Sequence, residues 1–236
     1  MQLLVSVRGP AEARAALTGG AHVIDAKDPR RGSLGAVSPA ALAAISRTVG
    51  SARPVTAALG DALNEGAVAH GARRAARHHV AFVKLGFAGV ASAARARGLA
   101  GAACRGGTGV VLVAYADWER VESLRPELIA TLAAVVGAAG VLIDTARKEA
   151  PLFALWSPDV VGDWVAVIHE AGLFAAVAGG LTDSDVATAQ DLEADVMGVR
   201  GAACTGGRLG TVSSERVATL VALTRAAAGA PALLLP

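Results

Sequence analysis

Short apolar, β-rich runs recur along the whole chain, and each is followed by a segment whose apolar positions repeat at helical spacing. The runs predict strands at Leu3–Val7, His22–Lys27, Pro54–Leu59, Val80–Leu85, Val110–Tyr115, Gly140–Asp144, Leu173–Ala178 and Ala194–Val199. Among the segments between them, "SPAALAAISRTVG" reads most clearly as a helix. Ser38 stands at its N-cap, Pro39 at the first helical position, Leu42, Ile45 and Val49 on one face, and Gly50 as its stop. "LTDSDVATAQ" offers Thr182 as another N-cap, and "TVSSERVATLVALTRAAA" supplies a last amphipathic helix. Strands that alternate with helices pair in parallel through right-handed crossovers. Eight such units in 236 residues, with no Pro- or Ser-rich linker, predict one α/β domain over residues 1–236: a closed (β/α)8 barrel of the TIM type.

Within "HVIDAKDPRRGSLGA" the alternation carries an anomaly. Side chains on a strand point to opposite faces in turn, so Val23, Asp25 and Lys27 share one face and Ile24 and Ala26 the other. An acid and an amine therefore sit together at the end of an apolar strand, where a charge is costly unless it is paired or its pKa moves. Catalytic groups of such barrels gather at the carboxyl ends of the strands. Those ends hold Ser6, Asp25 with Lys27, Gly60-Asp61, Lys84, Tyr115 and Asp117, Asp144 with Lys148 four residues on, Gly179-Gly180, and Arg200-Gly201. The chain has three lysines, and all three fall in this set. Lys84 shares its face with Val80 and Phe82, and Asp144 with Leu142, so both should project into the barrel mouth with Lys27. Each lysine alone could cap a strand and snorkel to water. Three at one face, with two aspartates, point to chemistry.

Composition narrows the choice. The chain is 53% hydrophobic and carries 22 basic against 20 acidic residues, with the arginines scattered, so no polyanion-binding stripe forms and nucleic acid is not an expected partner. No apolar run reaches the length of a membrane span, and "MQLLVSVRGP" lacks the regions of a signal peptide, so no membrane contact is expected and the cytoplasm is the expected location. Cys104 and Cys204 are too few for a disulfide framework and lack metal-ligand spacing. They lie in "GAACRGG" and "GAACTGG", a match read as coincidence, with the first at the bottom of the barrel and the second at the top. None of the five histidines reaches the top face, no metal site is expected, and no G-x-G-x-x-G or P-loop follows a strand. Association into a homo-oligomer is left open.

Clustered cations and desolvation depress an amine's pKa, leaving a neutral nucleophile able to form a Schiff base with a carbonyl. Neighbouring carboxylates and a second amine can then move protons. "AVAGGLTD" puts Gly179 and Gly180 before a helix N-terminus, and "GVRGAACTGG" follows the last strand with Arg200 and Gly201. The loops after strands seven and eight are the usual phosphate site of this fold. "RRGSLGA", with Ser33 and Gly35, is either a second anion-binding loop or a glycine-rich turn carrying solvated arginines. The residues alone thus leave three readings: a Schiff-base lyase, an aldolase on another sugar phosphate, and a non-catalytic barrel that binds phosphorylated metabolites.

At "LLVSV", "GGAHVIDAKDPRRGSLGA", "FVKLG", "YAD", "IDTARKEA", "AVAGG" and "GVRGAAC" the chain resembles the (5-formylfuran-3-yl)methyl phosphate synthases, which make the furan precursor of methanofuran. The resemblance runs from the first predicted strand to the eighth, and the D-x-K-x-P-x-x-G-S-L-G-A segment is specific. It implies a lyase that condenses two molecules of glyceraldehyde 3-phosphate with loss of one phosphate and two waters, without metal or organic cofactor. It further implies Lys27 as the Schiff-base lysine, Asp25 as its partner, and Lys84, Asp144 and Lys148 as the remaining charged catalytic positions. Arg147 stands where that family more often has an apolar residue, and Gly180 where it often has a serine.

Overall fold

A computed structural model describes residues 1–61 and 64–226. Eight parallel strands close into a barrel in chain order: β1 (Gln2–Val7), β2 (Val23–Ala26), β3 (Val55–Asp61), β4 (Phe82–Gly86), β5 (Gly109–Tyr115), β6 (Gly140–Asp144), β7 (Phe174–Val177) and β8 (Val196–Val199). Pairing of Gln2–Val5 on β1 with Val196–Val199 on β8 completes the ring. The predicted barrel is the observed one. Its last ten residues, 227–236, and the end of the predicted last helix fall outside the described residues.

The strand alternation divides the apolar residues into two layers. Leu4, Val23, Phe82, Val111, Leu142 and Val196 point inward and fill the barrel, where Phe82 and Phe174 meet edge to face with centroids 5.5 Å apart. Leu3, Val5, Ile24, Val83, Leu85 and Ile143 point outward and pack beneath the helices. Val80 departs from expectation. It precedes β4 and packs in the outer layer, because the strand begins only at Phe82.

The helices are α1 (Pro10–Thr18), α2 (Pro39–Val49), α3 (Glu65–Ala76), α4 (Ala93–Cys104), α5 (Pro126–Val136), α6 (Leu152–Leu155), α7 (Pro158–Glu170), α8 (Val186–Asp191) and α9 (Ser214–Ala226). In α2 the Ser38 hydroxyl accepts from the Ala41 amide at 3.1 Å, Leu42, Ile45 and Val49 are buried, and Gly50 ends the helix at a φ of 56°. Two connections depart from a plain βα unit. A single turn, α6, is inserted before α7. The loop after β8 folds into a small antiparallel hairpin of β9 (Cys204–Thr205) and β10 (Thr211–Val212) before α9 begins. Cys104 ends α4 at the bottom of the barrel and Cys204 lies in the hairpin at the top, and both thiols are free.

A polar knot ties the upper rim together. Tyr115, fully buried, donates to Asp61 Oδ1 at 2.7 Å and accepts from Ser33 Oγ at 3.4 Å, while Asp61 Oδ1 also accepts the Ala88 amide at 3.0 Å. Gly86 leaves the room. A Cβ there would lie 2.4 Å from Asp61 Oδ1 and 2.5 Å from Tyr115 Oη, atoms that their hydrogen bonds hold in place. Gly86→Ala is therefore expected to cost about 1–3 kcal/mol, the range for overpacking a filled site. A denaturant midpoint equal to wild type would show that the knot gives way without cost.

Candidate active site

The carboxyl ends of the strands surround a cavity of about 370 Å³. Register builds its floor. Asp25 stands level with Ser6 on β1 and Thr56 on β3. Its carboxylate is completely buried and accepts Ser6 Oγ at 2.9 Å, Thr56 Oγ1 at 2.8 Å and Lys84 Nζ at 2.6 Å. Burial alone would raise this carboxyl's pKa. The charges of Lys84 and Lys27 and the hydrogen bonds from Lys84 and Thr56 outweigh it and hold Asp25 below the usual carboxylate range.

Across the mouth, Asp144 ends β6 and is also buried. Its Oδ1 accepts Lys148 Nζ and the Thr145 amide, each at 2.7 Å. Lys148 Nζ spends its other donors on the Thr145 carbonyl and hydroxyl. Asp144 Oδ2 is buried with no hydrogen-bond partner. Burial again works to raise the pKa, and the charges of Lys148 and Lys27 win, leaving Asp144 lowered. Asp117 fixes this loop from beneath, because its carboxylate accepts the amides of Ala146 (2.7 Å) and Arg147 (2.8 Å), the two residues before Lys148.

Lys27 stands one residue past β2 and lines the same cavity. Its backbone amide donates to the Val7 carbonyl at 3.0 Å, which holds the residue to the barrel wall. Of the three lysines it alone has no ion pair or hydrogen bond at Nζ among the described residues. Desolvation and then the Lys84 charge lower its pKa, Asp144 and Asp25 oppose them, and the amine comes to rest at about 8. The structure thus brings together Asp25, Lys27, Lys84, Asp144 and Lys148 as the strand ends foretold.

The loops correct part of the reading. Gly179, Gly180 and Gly201 line the cavity as expected, and both Gly179 (φ 110°) and Gly180 (φ 72°) hold backbone angles that favour glycine. A helical segment follows them as expected, opening as a 3-10 turn, Asp183–Asp185, that runs directly into α8, with Thr182 at its N-cap. Thr182 donates to Asp185 through both its amide (2.7 Å) and its hydroxyl (2.9 Å), a capping box that fixes the start of this segment behind the glycine backbone. Arg200 departs from expectation. Its guanidinium gives both terminal nitrogens to Glu12 (2.6 and 3.1 Å), to the Ser6 carbonyl (2.8 Å) and to the Gly210 carbonyl (2.8 Å), and Nε to the Arg208 carbonyl (3.1 Å). All five N–H donors are spent inside the protein. Arg200 braces the loop after β8 against β1 and α1 and has no free donor for a phosphate. Glu12, whose pKa burial would raise, is held low by the hydrogen bonds of Arg200 and Arg8. Ser33 and Gly35 do not line the cavity. Ser33 belongs to the Tyr115 knot, and Gly35 accepts the Asp28 amide at 2.8 Å in a turn too tight for a Cβ, which would meet the Asp28 carbonyl at 2.2 Å.

Sequence reasoning missed Thr56, Arg208 and the supporting role of Asp117. Thr56 had a signal, since a hydroxyl interrupts the apolar residues that open its strand. Among the described residues no three His, Cys, Asp or Glu side chains gather where a metal ion could be held, and no helix is long and apolar enough to cross a membrane.

Comparison with solved structures finds the same closed-barrel architecture in other enzymes. Phosphoribosyl anthranilate isomerase from Thermus thermophilus superposes with a TM-score of 0.66 at 16% identity, over 96% of this chain and 99% of that one. Orotidine 5'-phosphate decarboxylase from Pyrococcus horikoshii gives 0.64 at 14% identity, over 94% and 99%. Such distant likeness shows the fold alone. Sequence comparison goes further. The family model described as 4-HFC-P synthase matches residues 3–221. The (5-formylfuran-3-yl)methyl phosphate synthase of Methanopyrus kandleri is 39% identical over 214 residues, 87% of this chain and 90% of its own. Those of Methanocaldococcus jannaschii and Methanosarcina barkeri are 34% and 31% identical, over 88% and 94% of this chain and 92% and 98% of theirs. On a barrel whose mouth gathers the same lysines and aspartates that carried the resemblance, these matches make the chain a member of the (5-formylfuran-3-yl)methyl phosphate synthase family, an enzyme of the lyase class.

Proposed function

We propose that this enzyme condenses two molecules of glyceraldehyde 3-phosphate into (5-formylfuran-3-yl)methyl phosphate through a Schiff base on Lys27. The observation that carries the choice of nucleophile is the division of labour among the lysines. Lys84 and Lys148 are each tied to a buried carboxylate, at 2.6 and 2.7 Å, whereas the Lys27 amine is unpaired and has a lowered pKa. An unprotonated amine is the form that attacks a carbonyl.

The Lys27 nitrogen adds to the aldehyde of one triose and water leaves, giving an imine. The imine acidifies the neighbouring C–H, and the electron pair left by that proton expels phosphate from the third carbon. The second triose isomerises by proton transfer, so that its carbonyl moves from C1 to C2. The carbon nucleophile, C3 of the first triose, adds to that ketone carbon. The C1 hydroxyl of the second triose closes on the C2 carbonyl of the first, and loss of two waters produces the furan. Hydrolysis of the imine returns the amine and takes back one water. Two C3H7O6P thus become C6H7O6P, H3PO4 and two H2O, a redox-neutral balance. Asp144, with its unpartnered buried Oδ2, is positioned to accept and return protons, and Asp25 stabilises the cationic state of the lysine pair above it.

Incubation with glyceraldehyde 3-phosphate alone should produce a furan absorbance, an ion of the expected mass and free phosphate. A non-aromatic aldol product would instead establish an aldolase, and binding without turnover a non-catalytic barrel. The pH dependence follows from Lys27. Its neutral fraction rises from about a tenth at pH 7 to about nine-tenths at pH 9 for a pKa near 8. The kcat/KM should therefore rise with pH through an inflection near 8. A profile flat from pH 6 to 10 would remove an ionising lysine nucleophile from the rate equation.

A further inference from the structure

We infer that Arg208 is a substrate-binding residue that receives a phosphate group at the lip between the loops after β8 and β2. Five cations line the central cavity: Lys27, Lys84, Lys148, Arg200 and Arg208. Four are committed. Lys84 and Lys148 are locked to Asp25 and Asp144, all five donors of Arg200 are spent, and Lys27 must be neutral to act. Arg208, at the tip of the β9–β10 hairpin, is the exception. One terminal nitrogen donates to the Pro29 carbonyl and the other to the Gly32 carbonyl, both at 2.8 Å, and among the described residues no carboxylate pairs with it. Two of its five N–H groups are thereby used, and three remain.

Carbonyl oxygens orient a guanidinium but do not neutralise it. A half-buried cation left in that state is stabilised by an anion, and the planar fork of arginine suits phosphate better than a lysine does. The glycine-lined loops at Gly179, Gly180 and Gly201 offer backbone N–H groups to one phosphate on the far side of β8. A second phosphate entering the same cavity meets Arg208. The two carbonyls that Arg208 holds belong to the loop "DPRRGSLGA", so the side chain also ties this loop to the hairpin across the mouth. That the cavity takes two phosphates rests on the proposed condensation; that Arg208 is the free cation does not.

The test uses glycerol 3-phosphate, which has no carbonyl and so binds without reacting at Lys27. Titration calorimetry on the whole protein should find two molecules bound per chain. Arg208→Gln keeps an amide able to hold one carbonyl but loses the charge, and should weaken the second site by about 10- to 100-fold, the span of a charge-assisted hydrogen bond, with the first site unchanged. Arg208→Lys restores the charge without the bidentate grip on Pro29 and Gly32, and should recover the second site to within about tenfold of wild type. In turnover, Arg208→Gln should raise KM for glyceraldehyde 3-phosphate more than it lowers kcat. A single site in the wild-type protein overturns the inference. So do two unaltered sites in Arg208→Gln, or an Arg208→Lys protein as weak as Arg208→Gln, which would mark Arg208 as a loop tie only. Two sites, the second of them dependent on Arg208, with no furan formed would sink the condensation and leave this inference standing. Furan formation with an indifferent Arg208 would do the reverse.

Discussion

Lys27→Met is expected to lose furan formation by at least about 10⁴-fold, because removing a covalent nucleophile closes a whole reaction route rather than slowing one proton transfer. The protein should nevertheless melt at or above the wild-type temperature. Three amines face two buried carboxylates in the barrel mouth, and Lys84 and Lys148 already satisfy both. Lys27 is the surplus charge, and its lowered pKa records that the fold disfavours its protonated form. A neutral methionine of similar length relieves that repulsion. Inactivity with retained or raised stability is the signature of a group kept for chemistry at a cost to the fold. Borohydride reduction in the presence of substrate supplies the direct readout. The wild-type peptide containing Lys27 should gain the mass of a reduced triose adduct, and the variant should gain none. A reproducible adduct on Lys84 or Lys148 would move the nucleophile, and an active Lys27→Met would remove the Schiff base from this lysine altogether.

Strand alternation made the core of the site readable because it is strictly periodic. Once Val23 faces inward, Asp25 must as well, and the same rule fixes Asp144 beside Leu142. The loops obey no such period, and their readings held less well. Arg200 sits at the expected strand end, but its destination was decided by Glu12, a residue far away in sequence on α1 that no local pattern links to it. Arg208 reaches the cavity only because the segment after Cys204 turns back as a hairpin. A two-residue pair such as Cys204–Thr205 with Thr211–Val212 leaves almost no sequence signal. Ser33 and Gly35 are read from the sequence as anion-binding residues on the strength of a glycine- and arginine-rich segment, with a plain turn as the other reading, and neither lines the cavity. The structure gives that turn its own work: Ser33 closes the Tyr115 knot, and the carbonyls of Pro29 and Gly32 hold Arg208.

The second large effect is expected at Asp144. Asp144→Asn keeps the shape of the side chain and an Oδ1 able to accept from both Lys148 Nζ and the Thr145 amide, so the local fold has its hydrogen bonds. What disappears is the charge and the proton acceptor at Oδ2. A buried carboxylate oxygen with no donor is an arrangement native proteins rarely keep unless chemistry uses it. A general acid–base group typically contributes about 10² to 10⁴ in rate, and turnover should fall by at least the lower figure. The pH profile separates this role from a structural one. Asp144 supports the protonated form of Lys27, so removing its charge should move the Lys27 inflection below about 8, the opposite of what general loosening and readier hydration of the site would do. The expected protein is thus cooperative in melting, slow at every pH, and half-ionised at Lys27 at a lower pH than wild type. Near-normal turnover would take Asp144 out of the mechanism. A slow enzyme with its inflection unmoved would place the carboxylate too far from Lys27 to act on it, and a non-cooperative melt would mean that its charge serves only to hold Lys148 in the wall of the barrel.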